Sequence, residues 1–313
     1  MRTVQQHGTR SIMVSRWRGP GRLEMRETVA FFFFISPWII GFLLFTGGPL
    51  LAVCVLSFTD YTATNTPTFI GLQNYTHLFA DPIYLTSLRV TGYYTVLYLP
   101  ISLAVALGLA LLLNQRVILR GVFRTIFYLP TVISGVAVAL LWQWLLNPEF
   151  GLVNYVLRLF GITGPLWFQD EHWVIPAFVL MGLWSVGGGM LVFLAALQSI
   201  PPEQYEAASL DGANAWHKFL HVTLPMISPA LLFNLITGMI ASFQIFAPAY
   251  VISNGNGGPN YASEFYALYL FNNAFQYFKF GYAAAQAWLL FLIILVLTIL
   301  LLQASKKIVY YEN

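Results

Sequence analysis

The strongest functional pattern in this 313-residue chain lies in segment 199–228, the longest polar stretch between two charge-free apolar runs. The segment contains Glu206-Ala207-Ala208, three further residues, Gly212, nine residues, and Val222-Thr223-Leu224-Pro225. Small side chains at positions 207 and 208 let another surface approach closely, and glycine permits a turn without steric cost. The chemistry that this pattern can perform is non-covalent, because it is typical of a short helix that docks into a groove of another protein.

Local residue types predict two short helices in segment 199–228. Pro201-Pro202 suits a first helical turn, with Ser199 as the expected N-cap of a helix over 203–210. Gly212 is the expected end of that helix. A second short helix is predicted over 213–222, where apolar residues recur at spacings of three and four.

Two hosts for this segment are open: the lipid headgroups or a protein groove. Lys218 is its only Lys or Arg, whereas Glu203, Glu206 and Asp211 are acidic. Because inner membrane leaflets are anionic, an acidic helix is poorly attracted to them. The composition therefore favours the protein groove.

Residue constellations for covalent chemistry are absent from the sequence. A phosphate-binding loop requires Gly-Lys followed by Ser or Thr, and no Gly-Lys dipeptide occurs. Neither G-x-S-x-G nor H-E-x-x-H is present, and the one cysteine, Cys54, excludes an intrachain disulfide. We therefore expect no catalytic residue, no metal and no cofactor on this chain, and we expect that it is not an enzyme.

The composition indicates a protein embedded in a membrane. Hydrophobic residues make up 58% of the chain, charged residues make up 9%, and the mean hydropathy is +0.70. Soluble domains carry about 25% charged residues. Long uncharged runs suit helices, which need about 20 residues to cross a bilayer core. The predicted fold class is an all-α integral membrane protein with six transmembrane helices, near 29–56, 87–113, 123–146, 173–198, 229–252 and 282–303.

The distribution of Lys and Arg predicts the orientation of these spans. With the N-terminus inside the cell, Arg158 and Lys279 lie outside, and Arg89 lies at a boundary. The remaining basic residues all become cytoplasmic, which is a strong positive-inside bias. They are Arg2, Arg10, Arg16, Arg18, Arg22, Arg26, Arg116, Arg120, Arg124, Lys218, Lys306 and Lys307.

Both termini and segment 199–228 are therefore predicted to be cytoplasmic. The chain divides into an N-terminal tail (1–27), a six-helix domain (28–305) and a C-terminal tail (306–313). The aromatic outer segment 253–281 has two open interpretations, a helix lying in the membrane interface or a contact surface for an external partner.

The pattern Glu206-Ala207-Ala208-x3-Gly212-x9-Val222-x-Leu224-Pro225 resembles the EAA signature of binding-protein-dependent ABC importer permeases, with Val222 where that signature usually has isoleucine. Over about 28–305 the chain is similar to the compact six-span sugar-uptake permeases of the maltose and glycerol-phosphate type. The supporting segments are Phe69-Ile70-Gly71-Leu72-Gln73-Asn74-Tyr75, Phe127-Tyr128-Leu129-Pro130, Leu197-Gln198-Ser199-Ile200-Pro201 and Gly257-Gly258-Pro259.

The resemblance implies a type I ABC importer permease in a bacterial inner membrane. It implies four partners besides lipid: a second homologous permease, two ATPase subunits that bind ATP and Mg, and an extracytoplasmic solute-binding protein; no nucleic acid is involved. The coupling residues that it implies are Glu206, Ala207, Ala208, Gly212, Leu224 and Pro225.

The resemblance also implies a solute pathway between the middle spans. Trp184 or Phe243 could stack on a sugar ring, and Ser185 or Gln244 could bond hydroxyl groups. Each of these residues could equally serve packing or hydrogen bonding between helices. The full set of candidates is Trp184, Ser185, Gly187, Gly188, Gly189, Asn234, Ser242, Phe243 and Gln244.

Two other classes of function compete with this interpretation. A self-sufficient secondary transporter normally places ionisable residues in the membrane, and the only formal charges in the predicted spans are Arg89 and Arg124, each at an edge. Sodium sites built from backbone carbonyls remain compatible with the sequence. A membrane enzyme is disfavoured by the missing catalytic constellation. The sequence leaves the identity of the sugar open.

Overall fold

The computed structural model describes residues 22–115 and 118–306, with side chains from residue 25 onward. Six of the basic residues predicted to be cytoplasmic lie outside the described residues, as do the greater parts of both predicted tails. Contacts between Cα atoms divide the chain into two units, Met1–Ala52 and Val53–Asn313. The six residues are Arg2, Arg10, Arg16, Arg18, Arg116 and Lys307.

In the first unit, the described residues form helix α1 (Arg22–Phe42), a π-helical turn (Leu43–Gly47) and the start of α2 (Gly48–Leu56). The π turn directly precedes Pro49, which has no N–H to donate and whose ring clashes with the carbonyl of a regular preceding turn. A π turn accommodates such a misfit within a helix. The apolar side chains here, including the four consecutive phenylalanines 31–34, are exposed.

Among the described residues of the second unit, the regular secondary structure is helical apart from a short antiparallel ribbon, β1 (Thr59–Asp60) and β2 (Thr68–Phe69). Single turns of 3-10 or π helix occupy Trp167–Gln169, Phe219–Thr223 and Asn272–Gln276. Its further α-helices are α3 (Gln73–Ala80), α4 (Pro82–Asn114), α5 (Arg120–Val132), α6 (Gly135–Leu145), α7 (Leu152–Leu159), α8 (Val174–Leu183), α9 (Gly187–Ser199), α10 (Pro202–Leu210), α11 (Ala215–Lys218), α12 (Leu224–Met226), α13 (Ser228–Phe243), α14 (Ala247–Ser253), α15 (Tyr266–Phe271) and α16 (Phe280–Ser305).

Helix α4 is the element around which the second unit packs, with α8, α9, α13 and α15 against it. Asp81 caps its N-terminus, because the carboxylate accepts a hydrogen bond from the backbone N–H of Ile83 at 2.9 Å. Pro82 follows in the first turn, where its missing N–H costs nothing. Ala106 of α4 shares a buried cluster with Met190 of α9, and such small residues let membrane helices approach closely.

The described part of the chain holds four helical stretches that are long and apolar enough to cross a membrane, and two bent helix pairs. The four are Met25–Leu56, Pro82–Asn114, Ser228–Ser253 and Phe280–Ser305. The pairs are Arg120–Val132 with Gly135–Leu145, and Val174–Leu183 with Gly187–Ser199. These ranges overlap all six predicted spans, and the structure is mostly helical as expected.

The predicted span 123–146 is not one straight helix, because α5 and α6 are bent by 101°. Three β-branched residues, 131–133, lower helix propensity where the chain breaks. Ile133 is extended, with ψ of 139°, and Ser134 is extended likewise before Gly135 starts α6. The predicted span 173–198 is also divided, with a 47° bend between α8 and α9.

The outer segment 253–281 packs into the protein over its first half. Tyr266 is 1% exposed, its backbone N–H donates to Thr91 Oγ1 at 2.8 Å, and its hydroxyl donates to the Gln286 carbonyl at 2.8 Å. A helix lying freely in the membrane interface would leave these groups outside the core, so the prediction of an interfacial helix is wrong for this half. Tyr277 and Phe278 remain exposed at its end.

Candidate functional site: segment 199–228 and a cavity among the helices

Helix α10 ends in a Schellman motif with glycine at its left-handed position. The backbone N–H of Ala213 donates to the Ala208 carbonyl at 2.9 Å, and that of Gly212 donates to the Ser209 carbonyl at 3.1 Å. Gly212 has a φ of +77°, in the left-handed region that favours glycine. The predicted helix end at Gly212 is therefore confirmed, and the last carbonyls of α10 have partners.

No residue of α10 is buried, so the helix is presented outward. Glu206 and Ala207 are exposed, and Leu210 at the end of the helix is 90% exposed. Trp216 of α11 is also exposed, at 64%. An exposed leucine and tryptophan beside small residues form an apolar surface for another protein to cover.

Side-chain hydrogen bonds join α10 to the residues that follow it. The Tyr205 hydroxyl bonds Thr223 Oγ1 at 3.0 Å, and Lys218 Nζ donates to Ser209 Oγ at 2.6 Å. Asn214 caps α11 by accepting from the His217 backbone N–H at 2.9 Å. These bonds make 202–226 one connected piece, so a force applied to α10 reaches the start of α13.

Two local predictions for this segment need correction. The N-cap residue of α10 is Pro201, whereas the Ser199 hydroxyl donates backward to the Ala196 carbonyl at 2.8 Å. The predicted helix over 213–222 is divided into α11 and a π turn. The reason is Pro225, whose ring and missing N–H disturb the preceding turn.

Leu224 and Pro225 lie in α12, where both are partly buried. The Pro225 carbonyl accepts from the Ser228 hydroxyl at 2.6 Å, which ties α12 to the first residue of α13. Leu224 and Pro225 therefore lie where segment 199–228 joins the long apolar helix α13, away from the exposed face of α10.

A cavity of about 230 Å³ lies between α4, the α8–α9 bend and α13. Asn234 projects from α13, and its Nδ2 donates to the Gly189 carbonyl at 3.2 Å. The cavity brings together Ser185, Gly189 and Asn234 from the predicted pathway residues. Its complete lining is Tyr98, Ser102, Leu103, Ala106, Ser185, Val186, Gly189, Asn234, Thr237, Gly238 and Ala241. All of these side chains are neutral, and the polar ones offer hydroxyl and amide groups.

Sequence reasoning missed Tyr98, Ser102 and Thr237. The first two lie four residues apart on α4, and Thr237 follows Asn234 by three residues on α13. Polar residues at these spacings share one helix face. That spacing was present in the sequence, but only the fold shows that the two faces meet at one cavity.

The glycine triplet serves close packing at one of its three positions. A Cβ on Gly187 would lie 2.2 Å from the Phe127 carbonyl oxygen, so α5 and α9 touch there through their backbones. A Cβ on Gly189 would meet Asn234 Oδ1 at 3.5 Å, an ordinary contact. At Gly188 the space is open. The close backbone approach anticipated for the triplet therefore occurs at Gly187.

Six predicted pathway residues do not line this cavity: Gly187, Gly188, Trp184, Ser242, Phe243 and Gln244. Ser242 is 2% exposed and accepts from Thr95 Oγ1 at 3.0 Å, and Phe243 is 7% exposed within a hydrophobic cluster. Both contribute to packing between helices. Trp184 is 37% exposed and meets Trp142 edge to face, and Gln244 is exposed at the end of α13.

One polar contact at the predicted cytoplasmic end of α9 was also missed. With its amide oxygen facing the two guanidinium groups, Gln198 accepts hydrogen bonds from Arg120 and Arg124. Both arginines belong to the first turns of α5, and Gln198 lies just before α10. The contact connects α5 to the start of segment 199–228.

Comparison with known proteins places the chain in a transport family. Residues 99–309 match the family described as "binding-protein-dependent transport system inner membrane component". The probable ABC transporter permease YesP of Bacillus subtilis is 42% identical over 92% of this chain and 94% of its own length. The arabinooligosaccharide permease AraP of B. subtilis is 32% identical, over 93% and 92%. The lactose permease LacF of Rhizobium radiobacter is 34% identical, over 88% and 93%.

The fold is also that of a solved permease. A chain of the bacterial alginate ABC transporter, crystallised in complex with alginate pentasaccharide-bound periplasmic protein, superposes with a TM-score of 0.80. The superposition covers 93% of this chain and 99% of that one, at 24% identity. Because the family match covers most of the chain and relatives match it along almost their whole length, the chain belongs to the family of inner membrane components of binding-protein-dependent transport systems.

Proposed function

We propose that this permease imports a carbohydrate and forms one half of a translocation pathway driven by a separate ATPase. Relatives named for arabinooligosaccharides and lactose support the class of solute. The neutral hydroxyl and amide groups of the 230 Å³ cavity suit such a solute, and its lining contains no Asp, Glu, Lys, Arg or His for proton coupling. The chain acts in this proposal without catalytic residues, metal or cofactor of its own.

Six spans are proposed, with each bent helix pair crossing the membrane once. Both termini and segment 199–228 then lie in the cytoplasm of a bacterial cell. In the sequence, tails 1–27 and 306–313 flank the six-helix domain 28–305. The bias of Lys and Arg toward that side supports the orientation. The exposed apolar side chains of Met25–Leu56 suit contact with lipid.

The observation that carries the coupling role is that α10 has no buried residue, yet it is closed by the Gly212 motif and bonded to the following residues. A rigid, presented helix can transmit the closure of two ATPase subunits to the spans. Glu206, Ala207 and Ala208 would enter the ATPase groove, Gly212 would hold the helix end, and Leu224 and Pro225 would pass the motion to α13. ATP and Mg would be bound by the ATPase dimer.

A second homologous permease is proposed to complete the pathway. The cavity of about 230 Å³ is smaller than the roughly 300–1,000 Å³ typical of small-molecule sites. Trp184 and Gln244 are exposed beside it and are proposed to face the same pathway with Ser185, Gly187, Gly188, Gly189 and Asn234. An extracytoplasmic binding protein would deliver the solute, and no nucleic acid takes part.

Reconstitution tests the proposal directly. Vesicles holding this chain, its companion permease and the ATPase should accumulate sugar only with ATP and binding protein present. Glu206→Lys should abolish uptake and release the ATPase during purification. Gln204→Lys is the control, because it changes an exposed residue two positions earlier, on the opposite face of α10. Uphill transport by this chain alone would instead establish a secondary transporter.

A further inference from the structure

A second polar cavity, of about 460 Å³, lies in the predicted outer part of the chain, apart from the solute cavity. Its walls come from loop 254–265, from α15 with its π turn, and from the residues just before α16. The polar groups that matter are Tyr261, Glu264, Asn272, Tyr277 and Lys279. Its volume falls within the roughly 300–1,000 Å³ range of small-molecule sites.

The loop is folded so that a carboxyl group is enclosed at the cavity wall. Glu264 is 2% exposed, although it lies in a loop that is predicted to face the outside of the cell. A Cβ on Gly257 would lie 1.7 Å from Glu264 Oε2, and Gly257 has a φ of +64°, so only glycine lets the loop close over this carboxyl group. The Ser263 backbone N–H donates to the Gly257 carbonyl at 3.0 Å and closes the turn.

Two acceptors in this wall lack adequate donors within the described residues. Glu264 accepts one long hydrogen bond, from Asn272 Nδ2 to Oε1 at 3.4 Å. Asn272 is 4% exposed, and its Oδ1 is buried without a donor. Asn272 Nδ2 itself is used, because it also donates to the Gly255 carbonyl at 2.9 Å. Buried acceptors are almost always paired in native proteins, so both acceptors can take a hydrogen bond from a bound group.

A neighbouring cavity of about 410 Å³ shows the contrast. There the Asp81 carboxylate accepts from the hydroxyls of Tyr269 at 2.5 Å and Tyr282 at 2.6 Å, and from the backbone of Ile83 and Tyr84. Burial raises the pKa of Asp81, but these bonds outweigh it and hold the pKa below its usual value. Burial raises the pKa of Glu264 to about 7, opposed only by the Asn272 bond. Asp81 is thus satisfied by the fold, whereas Glu264 is not.

We propose that the 460 Å³ cavity binds a polyhydroxylated solute on the outer side of the membrane. Hydroxyl groups of the solute would donate to Glu264 and to Asn272 Oδ1, and Lys279 would donate to a hydroxyl or ring oxygen. Tyr261 and Tyr277, which are 45% and 57% exposed, offer ring faces on which the apolar face of a sugar can pack. The proposal rests on the proposed function for its orientation and its class of solute.

Saturation-transfer NMR on the purified importer complex, without binding protein, tests this site. Lactose, maltotriose and arabinotriose serve as probes, because weak recognition through hydroxyl groups does not depend on one particular sugar. The complex should bind at least one of them. Glu264→Gln and Asn272→Leu should each weaken binding at least tenfold, whereas Glu149→Gln, which alters an exposed carboxylate in another predicted outer loop, should not.

Each outcome decides the question. Failure of all three sugars to bind the wild-type complex, or unchanged binding by both cavity variants, overturns the proposal. ATP-driven uptake by the same wild-type complex is measured in parallel. A wild-type complex that shows no uptake would refute the proposed function and not this site. If the buried variants do not assemble, the exposed Tyr277→Ala carries the same expectation, a tenfold loss, and unchanged binding by it overturns the proposal.

Discussion

Replacing Gly212 by alanine should weaken coupling through the backbone alone. The φ of +77° places this residue in the left-handed region, and no atom lies within 4 Å of the Cβ that alanine would add. Steric contact therefore contributes nothing to the cost. The left-handed conformation itself costs a residue with a Cβ about 1–2 kcal/mol. The two hydrogen bonds that close α10, at 2.9 Å and 3.1 Å, depend on this conformation and are weakened with it.

That free energy sets the size of the expected effect. A change of one or two kcal/mol alters an equilibrium by a factor of about 5–30. The ratio of closed to frayed helix end falls by this factor, and the apparent affinity for the ATPase falls by at most as much. The assay is titration of the reconstituted permease pair with purified ATPase, read out as ATP hydrolysis stimulated by the binding protein.

Two matched variants separate this cause from general damage. Gly212→Asn should retain most of the affinity, because asparagine tolerates the left-handed conformation. Gly108→Ala, inside α4 with open space around it, should leave affinity unchanged, since alanine favours a helix by about 1 kcal/mol over glycine. Wild-type affinity in Gly212→Ala, or an equal loss in Gly212→Asn, would refute the reasoning.

Three further outcomes are expected. Tyr205→Phe removes only the hydroxyl that bonds Thr223 at 3.0 Å, which should cost about 0.5–1.5 kcal/mol and lower ATPase affinity up to about tenfold in the same titration. Asn234→Leu removes the bond to the Gly189 carbonyl and one polar group of the cavity, so sugar uptake should fall while the ATPase still co-purifies. Glu264 has a folded-state pKa of about 7 against an ordinary 4.5, so its contribution to stability is complete below pH 4.5 and is lost as the pH rises through 7. The shift corresponds to about 3 kcal/mol, and thermal melting from pH 4 to 8 should show this decline in the wild type and not in Glu264→Gln.

Each of these has an outcome that contradicts it. Unchanged affinity in Tyr205→Phe would mean that α10 does not depend on its bond to Thr223. Loss of the ATPase from Asn234→Leu would make that asparagine a folding residue. A decline of equal size in Glu264→Gln would mean that groups other than Glu264 cause the pH dependence.

The helices of segment 199–228 were largely predictable because the residues that start and end them act locally. Proline in a first turn and glycine after a helix act within a few residues, so α10 and Gly212 could be read directly. The errors in the same segment are local competitions. Ser199 bonds backward to Ala196, and Pro225 widens the turn before it into a π turn. Propensity alone does not decide between such near-equal alternatives.

The pathway residues were harder to predict, because the neighbour that a side chain meets depends on how two helices pack together. Ser242 and Asn234 are both polar residues of α13, yet Ser242 turns to Thr95 on α4 while Asn234 turns to Gly189 at the cavity. Periodicity assigns each a face of its own helix. Which neighbour meets that face depends on how α4, α9 and α13 pack together.

The amino-acid sequence by itself determined that the chain is a helical membrane protein, where its apolar segments lie, and that one exposed helix ends at Gly212. Those properties follow from hydropathy, charge distribution and short-range backbone preferences, which need no distant partner. Tertiary structure alone decided the meeting of Ser185 with Asn234 and the enclosure of Glu264 beside Asn272. Both depend on how separate segments of the chain pack together, and packing geometry, not residue type, selects them.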